Sequence, residues 1–137
     1  NTSLERIGDI AASVARFVNR SQLGPHEVLL EKTHVLTMFE EASDLIEDAL
    51  AAFETENTHL AEGIFTRDRA LNDLNKAAKA EVVKYIKSNP HSVEECLNLL
   101  SVIRKLERAG DQSKNIANEI IFYVEAKVSK HQKSPGK

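Results

Sequence analysis

Apolar residues recur at steps of three and four along almost the whole chain, which is the spacing of one face of an α-helix. In one of these stretches, six residues at alternating steps of three and four form a seam, which Val35, Ala42, Leu45 and Ala49 flank. The seam consists of Leu36, Phe39, Ser43, Ile46, Leu50 and Phe53. Glycine and proline, which interrupt helices, number only 5 and 3 in 137 residues. No stretch alternates apolar and polar residues for long, so the sequence predicts an all-α fold.

The helix-breaking residues divide the chain into four predicted helices, at about 2–20, 27–54, 58–87 and 92–130. Gly24 and Pro25 end the first helix, Asn57 can cap the third, and Pro90 separates the third from the fourth. Short connections make neighbouring helices antiparallel. The sequence therefore predicts an antiparallel three-helix bundle at 27–130. A shorter helix at 1–24, without partners of its own, precedes it, and a disordered tail at 131–137 follows.

Charge, cysteine content and hydropathy exclude several classes of protein. The net charge of −3 gives no electrostatic basis for binding nucleic acid. Cys96 is the only cysteine, which excludes an internal disulfide and fits a reducing compartment such as the cytoplasm. No apolar run approaches the ~20 residues of a membrane span, so we expect no membrane insertion.

A six-residue phrase occurs twice, as LERIGD at 4–9 and as LERAGD at 106–111. Each copy contains two acids four residues apart, Glu5 with Asp9 and Glu107 with Asp111. The second copy lies in the third helix of the predicted bundle, so the first copy indicates the third helix of another bundle. We therefore expect a tandem repeat, with about 80 to 100 residues of the first repeat upstream of this chain.

The repeated acids are candidates for a metal site. Glu107 and Asp111 project from the same face of a helix. On the preceding predicted helix, Asp68 lies at the border of the apolar stripe, with Asn72 four residues later. If these side chains converge, their oxygen atoms suit hard or borderline cations such as Mg, Mn, Ca or iron.

Two interpretations of these acids stay open. Gly110 lies mid-helix between them, where glycine costs about 1 kcal/mol relative to alanine. Its presence indicates the close approach of another backbone or of a ligand, which favours a site. Alternatively, Arg104 and Arg108 each precede an acid by three residues and neutralise it as a surface ion pair.

Other polar residues give weaker signals. Glu31 with His34, and Glu56 with His59, have the spacing found in carboxylate-bridged di-iron bundles, but the second pair straddles a predicted turn. There is no glycine-rich phosphate loop and no nucleophile with a neighbouring base. We therefore expect no catalysis.

The repeated phrase resembles the signature of the PhoU family of phosphate-signalling proteins. KLERAGDQSKNIANEIIFYVEAKVSKH resembles the end of such a protein, and EDALAAFETEN and FTRDRALND resemble the first two helices of its second repeat. The resemblance implies two tandem three-helix, spectrin-like bundles that bind metal (Fe, Mn, Mg or Zn). The ligands matched by position are Glu107, Asp111, Asp68, Asn72, Glu5 and Asp9. Two departures are Ala109, where isoleucine is usual, and Asn72, where an acid is often found.

The function implied by the resemblance is regulatory. Such a protein links the ATPase of the phosphate ABC transporter to a sensor histidine kinase and represses phosphate-starvation genes when phosphate is ample. Two alternatives remain: a cytoplasmic PhoU-like domain of a sodium–phosphate cotransporter, and a carboxylate-bridged di-metal enzyme. The unpartnered apolar stripe of the first helix further predicts a homo-oligomer, such as a homodimer, or docking onto the chain's own bundle.

Overall fold

The structure is a computed structural model that describes residues 27–133 and, upstream, residues 5, 6, 8–10, 12, 15 and 16. Four α-helices follow one another along the main described range. They are α1 (Glu27–Thr33), α2 (Val35–Thr55), α3 (Thr58–Ser88) and α4 (Val93–Lys133), with a 3₁₀ turn at Pro90–Ser92 before α4. This range contains no strand. The predicted all-α fold is therefore confirmed.

Helices α2, α3 and α4 pack against one another as an antiparallel bundle, and α1 packs against α3. Large aliphatic side chains from all three long helices fill the core together with small alanine side chains. The large buried residues include Met38, Leu45, Ile64, Leu71, Ile103, Leu106 and Ile116. The buried alanines are Ala42, Ala49, Ala52, Ala61, Ala78, Ala109 and Ala117.

The buried face of α2 differs from the predicted seam. Leu36 and Phe53 are 58% and 46% exposed, whereas the stripe named as flanking is buried. The buried residues of α2 are Val35, Met38, Ala42, Leu45, Ala49 and Ala52. The apolar stripe of α2 is wide enough for either of two overlapping faces to point into the core. Close packing of the other helices favours the face that is rich in alanine.

The helix predicted at 27–54 is broken at His34. The backbone of His34 is left-handed, with φ 55° and ψ 33°, so α1 ends at Thr33 and α2 begins at Val35. The Thr33 hydroxyl donates a hydrogen bond to the Leu29 carbonyl, 2.8 Å away, within the last turn of α1. Neither glycine nor proline marks this position, so the sequence carried no signal for the break.

The two short connections match the predicted ones. Asn57 caps α3, because its Oδ1 accepts a hydrogen bond from the Leu60 N–H at 3.0 Å. Helix α3 ends at Ser88, directly before Asn89 and Pro90. Helix α4 continues to Lys133, three residues beyond its predicted end at 130.

The described residues of the N-terminal stretch are helical, and Ile10 packs against the bundle core. All of the predicted apolar stripe lies outside the described residues, as does the end of the tail at 134–137. The stripe consists of Leu4, Ile7, Ala11, Val14 and Val18. The division into an incomplete first repeat at 1–24 and a complete second repeat at 27–130 stays a prediction. None of the helices in the described part combines the length and hydropathy of a membrane span.

Candidate functional site

A group of polar side chains lies inside the interface between α3 and α4. Asp68 is at its centre, between Ile64 and Leu71 on the buried stripe of α3, and is only 1% exposed. Because the two helices are antiparallel, this part of α3 lies beside Glu107–Lys114 of α4. A buried carboxylate is costly unless it is paired, so its neighbours determine whether it is tolerated.

Gly110 is the position on α4 that admits the Asp68 side chain. A methyl group at this position would collide with Asp68 Oδ1 and would also lie 3.3 Å from Leu71 Cδ2. A glycine in the middle of α4 is therefore explained by the close approach of a side-chain carboxylate from α3. The sequence predicted a close approach at Gly110, but by another backbone or a ligand.

The two oxygens of Asp68 have different surroundings. Oδ2 is 3.2 Å from Lys114 Nζ and accepts a hydrogen bond from Asn72 Nδ2 at 3.3 Å. Oδ1, on the Gly110 side, is buried and has no hydrogen-bond partner. Only one of the two carboxylate oxygens therefore has partners that stabilise its negative charge.

The acids of the LERAGD phrase flank this carboxylate. Glu107 forms an ion pair with Lys79 of α3, and Asp111 Oδ1 is 3.8 Å from Lys114 Nζ. Burial raises the pKa of Asp111 above its ordinary value; Lys114 opposes that rise, and the charges of Asp68 and Glu107 add to it. The three carboxylates are therefore close enough to affect one another.

Lysines, rather than the arginines named from the sequence, neutralise the acids. Among the described side chains, neither Arg104 nor Arg108 forms an ion pair with Glu107 or Asp111. Lys79 and Lys114 were not predicted from the sequence as partners of these acids. The available signal was the opposite charge on two antiparallel helices, but using it requires their relative register.

The structure places the six predicted ligands in two groups. Asp68, Asn72, Glu107 and Asp111 lie at the α3–α4 interface, whereas Glu5 and Asp9 are exposed on the N-terminal stretch. Within the described residues, no group of three or more His, Cys, Asp or Glu side chains is assembled in a way that could hold a metal ion.

The histidines of the two Glu-x-x-His pairs do not join this interface. His34 is exposed at the break between α1 and α2, and Glu56 is in the turn before α3, as predicted. Neither pair therefore projects from one regular helix. Asn75, which sequence analysis did not single out, is 1% exposed with both amide atoms lacking hydrogen-bond partners.

The donor atoms of the interface are nevertheless of the type that hard cations prefer. Its donors are carboxylate and amide oxygens, Asp68 Oδ1 is buried without a partner, and the absence of a side chain at Gly110 leaves Asp68 room. The Lys114 ammonium already stands between two of the carboxylates as a positive charge. In this arrangement Lys79 and Lys114 supply the positive charge beside the acids.

Comparison with known proteins identifies relatives over nearly the whole chain. The proteins named "Phosphate-specific transport system accessory protein PhoU homolog" from Pseudomonas aeruginosa and Caulobacter vibrioides are both 31% identical to it, over 93% and 88% of the chain. Each match covers 52% of the relative. Homolog 1 from Thermotoga maritima is 30% identical over 89% of the chain and 52% of its own length. The chain thus spans about half the length of these relatives.

No solved structure matches the chain significantly. The sequence pattern of the PhoU domain matches residues 35–120, which include α2, α3 and most of α4. This match covers more than half of the chain and contains the whole polar interface around Asp68. It confirms the resemblance inferred from the repeated phrase, and the chain belongs to the PhoU domain family.

Proposed function

We propose that this chain is part of a regulatory accessory protein of phosphate transport. The proposal rests on one observation: about nine-tenths of the chain matches proteins named as accessory proteins of the phosphate-specific transport system. Because the chain spans about half of each relative, the regulatory role belongs to the proposed whole protein. Our proposal places that protein in the cytoplasm as a homo-oligomer, without catalytic activity of its own. Its partners are the phosphate transporter's ATPase and a sensor histidine kinase.

The proposal includes a metal ion at the α3–α4 interface. Asp68, Glu107 and Asp111 would hold it, with Asn72 as a neutral oxygen donor, and Glu5 and Asp9 would serve the first repeat. The metal is iron, manganese, magnesium or zinc. When bound, it supplies positive charge to a cluster of carboxylates. The unpartnered Oδ1 of the buried Asp68 supports this role.

Calorimetry and thermal unfolding test the metal site. We expect the chain to bind at least one of Mg²⁺, Mn²⁺, Fe²⁺ and Zn²⁺, and its melting temperature to rise with metal concentration by linkage. The double variant Glu107→Ala with Asp111→Ala should lose both effects. A matched control replaces two exposed acids of the same helix, Glu94 and Glu119, and should keep them. A chain that binds none of the four metals would exclude the metal part of the proposal.

The regulatory role is tested separately in a bacterium that lacks its own PhoU gene. The full-length protein containing this chain should restore repression of a phosphate-starvation reporter in high phosphate. Persistent reporter expression, with the protein present at normal abundance, would contradict the proposed role. The Glu107 and Asp111 double variant then shows whether repression depends on the interface acids.

A further inference from the structure

Helix α2 carries two adjacent apolar stripes, and the bundle core buries only the inner one, which is rich in alanine. We call the second stripe the outer seam; it consists of Leu36, Phe39, Ser43, Ile46, Leu50 and Phe53. Leu36, Leu50 and Phe53 are 58%, 37% and 46% exposed, whereas Phe39 and Ile46 are partly buried against the core. Both phenylalanines of α2 therefore lie on the less buried stripe.

The spacing of the outer seam fits a partner helix. Its positions follow one another at steps of three and four residues in strict alternation, the repeat by which two helices pack side by side in a coiled coil. From residue 36 to residue 53 the seam extends about 26 Å along α2, or about five turns. Single apolar residues on a surface are ordinary, but an aligned row marks a binding surface. The seam therefore has the form of a site for an amphipathic helix.

A row of acids follows one border of the outer seam. Glu40, Glu47 and Glu54 recur every seven residues, each directly after a seam residue, and we call them the acidic row. All three are exposed, and among the described side chains none of them forms an ion pair. By contrast, Asp48 on another side of α2 pairs with Arg67 of α3. The acidic row thus leaves a line of negative charge available to a helix that lies in the seam.

The acidic row argues against a second copy of α2 as the occupant. In an antiparallel pair of copies, each acidic row would lie beside the acidic row of the other copy, and like charges repel. In a parallel pair, each row would lie beside the opposite border of the seam, where Ala42 and Ala49 are buried and cannot neutralise it. A helix with lysine or arginine along its border meets neither obstacle.

We propose that the outer seam of α2 binds an amphipathic helix of a partner protein, whose apolar stripe is bordered by lysine or arginine. The apolar side chains of that helix cover the exposed residues of the seam, and its basic border pairs with the acidic row. The apolar contact supplies most of the affinity, and the charges determine which helices are accepted. Because the seam lies on α2, the inference does not depend on a metal at the α3–α4 interface.

Two synthetic helical peptides of three heptads serve as probes. Both carry leucine at the apolar a and d positions, and they differ only at the flanking e and g positions. Those positions are all lysine in one peptide and all glutamate in the other. Each peptide is labelled with fluorescein and kept dilute, so that it does not pair with itself. Its affinity for the full 137-residue chain is measured by fluorescence anisotropy in about 0.1 M salt.

The first pair of chain variants tests the charges. One variant replaces the whole acidic row by lysine. Its control replaces three exposed acids elsewhere by lysine, and so matches the change in net charge: Glu62, Asp73 and Glu94. The parent should bind the lysine-bordered peptide at least about tenfold more tightly than the glutamate-bordered one, since three ion pairs form along the border. Reversal of the acidic row should exchange this preference, and the control should keep it.

The second pair of variants tests the apolar seam. Leu36→Gln with Phe53→Gln should weaken binding of the lysine-bordered peptide at least about tenfold, because two exposed contacts are lost. The control, Leu97→Gln with Phe122→Gln, removes the same residue types from exposed positions of α4 and should leave binding unchanged. All four side chains are exposed, so both variants should fold, which circular dichroism checks.

Three results would overturn the inference. One is the absence of binding between the parent and the lysine-bordered peptide at chain concentrations up to about 1 mM. Another is a preference for that peptide that survives reversal of the acidic row, or an equal loss of binding in both glutamine double variants. The third is self-association of the parent chain that Leu36→Gln with Phe53→Gln abolishes, because the seam would then bind a second copy.

Discussion

At the scale of single residues, Gly110 is a position where α4 has no room for a side chain. Replacing it by alanine places a methyl group against Asp68 Oδ1, and overpacking of this kind costs about 1–3 kcal/mol. The replacement also gains about 1 kcal/mol of helix propensity. Because Asp68 is buried and held by Lys114, it cannot rotate away without losing that contact. We expect Gly110→Ala to lower the free energy of unfolding, measured in urea.

Gly63 provides the control for this substitution. It lies in α3, and a methyl group there meets no atom within 4 Å. Gly63→Ala should therefore show the propensity gain alone, a rise of about 1 kcal/mol in unfolding free energy. If both variants gain stability equally, Asp68 does not press against Gly110 in solution.

Asp111 should give a measurable pH dependence. Burial raises its pKa in the folded chain above the ordinary value of 3.8. A raised pKa means that the folded state binds the proton more tightly, so this contribution to stability is complete below pH 3.8 and is lost as pH rises through the folded pKa. The effect is small, since the Asp111 side chain is 56% exposed and solvent screens it.

The measurement compares the parent with Asp111→Asn, which does not titrate there. We expect the unfolding free energy of the parent, minus that of the variant, to fall as pH rises from about 3 to about 6. Urea unfolding at a series of pH values measures this difference. A difference that grows with pH would show that Lys114 outweighs burial and that the pKa is lowered instead.

The residues of the interface show what sequence can and cannot supply. The repeated LER-GD phrase and the position of Asp68 on the apolar stripe were enough to predict that the acids lie beside the packed faces of their helices. They were also enough to predict a close approach of other atoms to Gly110. The unpartnered Oδ1 of Asp68 and the two lysine partners were not predictable. They depend on how far α3 is shifted along α4, which periodicity within one helix does not determine.

At the scale of helices, lengths and ends were predictable, but the rotation and continuity of α2 were not. Asn57 and Pro90 mark the connections because caps and prolines act locally. The break at His34 has no such marker, since a left-handed non-glycine residue is unfavourable by itself. Packing of α1 on α3 offsets the cost of this backbone conformation. Because that packing is a tertiary contact, the local sequence does not indicate it.

The backbone of His34 leads to the prediction for this element. A left-handed conformation costs a non-glycine residue roughly 1–2 kcal/mol, a cost that glycine avoids. His34 is exposed, so replacing its side chain removes little packing. We expect His34→Gly to raise the free energy of unfolding by about 1 kcal/mol, measured by urea denaturation.

Thr37 provides the comparison for His34, because it is exposed within regular helix three residues later. Thr37→Gly should lower the unfolding free energy by about 0.5–1 kcal/mol, since glycine is the weaker helix former. Changes of opposite sign in the unfolding free energies of the two variants would locate the break at His34. Similar losses would mean that α1 and α2 form one continuous helix in solution.

At the scale of the whole molecule, the bundle followed from the sequence because several signals agree. Three long amphipathic segments with short connections have few ways to bury their stripes other than an antiparallel bundle. The same arrangement places Cys96 in the core, with 0% exposure. This thiol lies in the first turn of α4, close to the end of α3, and therefore reports on whether the bundle is closed.

Cys96 gives a prediction about the unfolding of the molecule. Burial, and to a lesser extent the charge of Glu95, raise the pKa of the thiol above 9.0, so very little thiolate is present at neutral pH. A thiol reagent should therefore react slowly with the folded chain and modify one thiol per chain in urea, because Cys96 is the only cysteine. The reaction rate should follow the global unfolding equilibrium across urea concentrations, if α4 opens only with the bundle.

Ser101→Cys is the reference for this measurement, since residue 101 is exposed on the same helix. The added thiol should react rapidly in the folded chain, while Cys96 in the same molecule stays protected. Rapid labelling of Cys96 without urea would mean that the start of α4 separates from α2 and α3 below the global unfolding free energy. The interface around Asp68 is about four turns further along α4, and Mn²⁺ titration during labelling would show whether closing that interface also closes the end of the bundle.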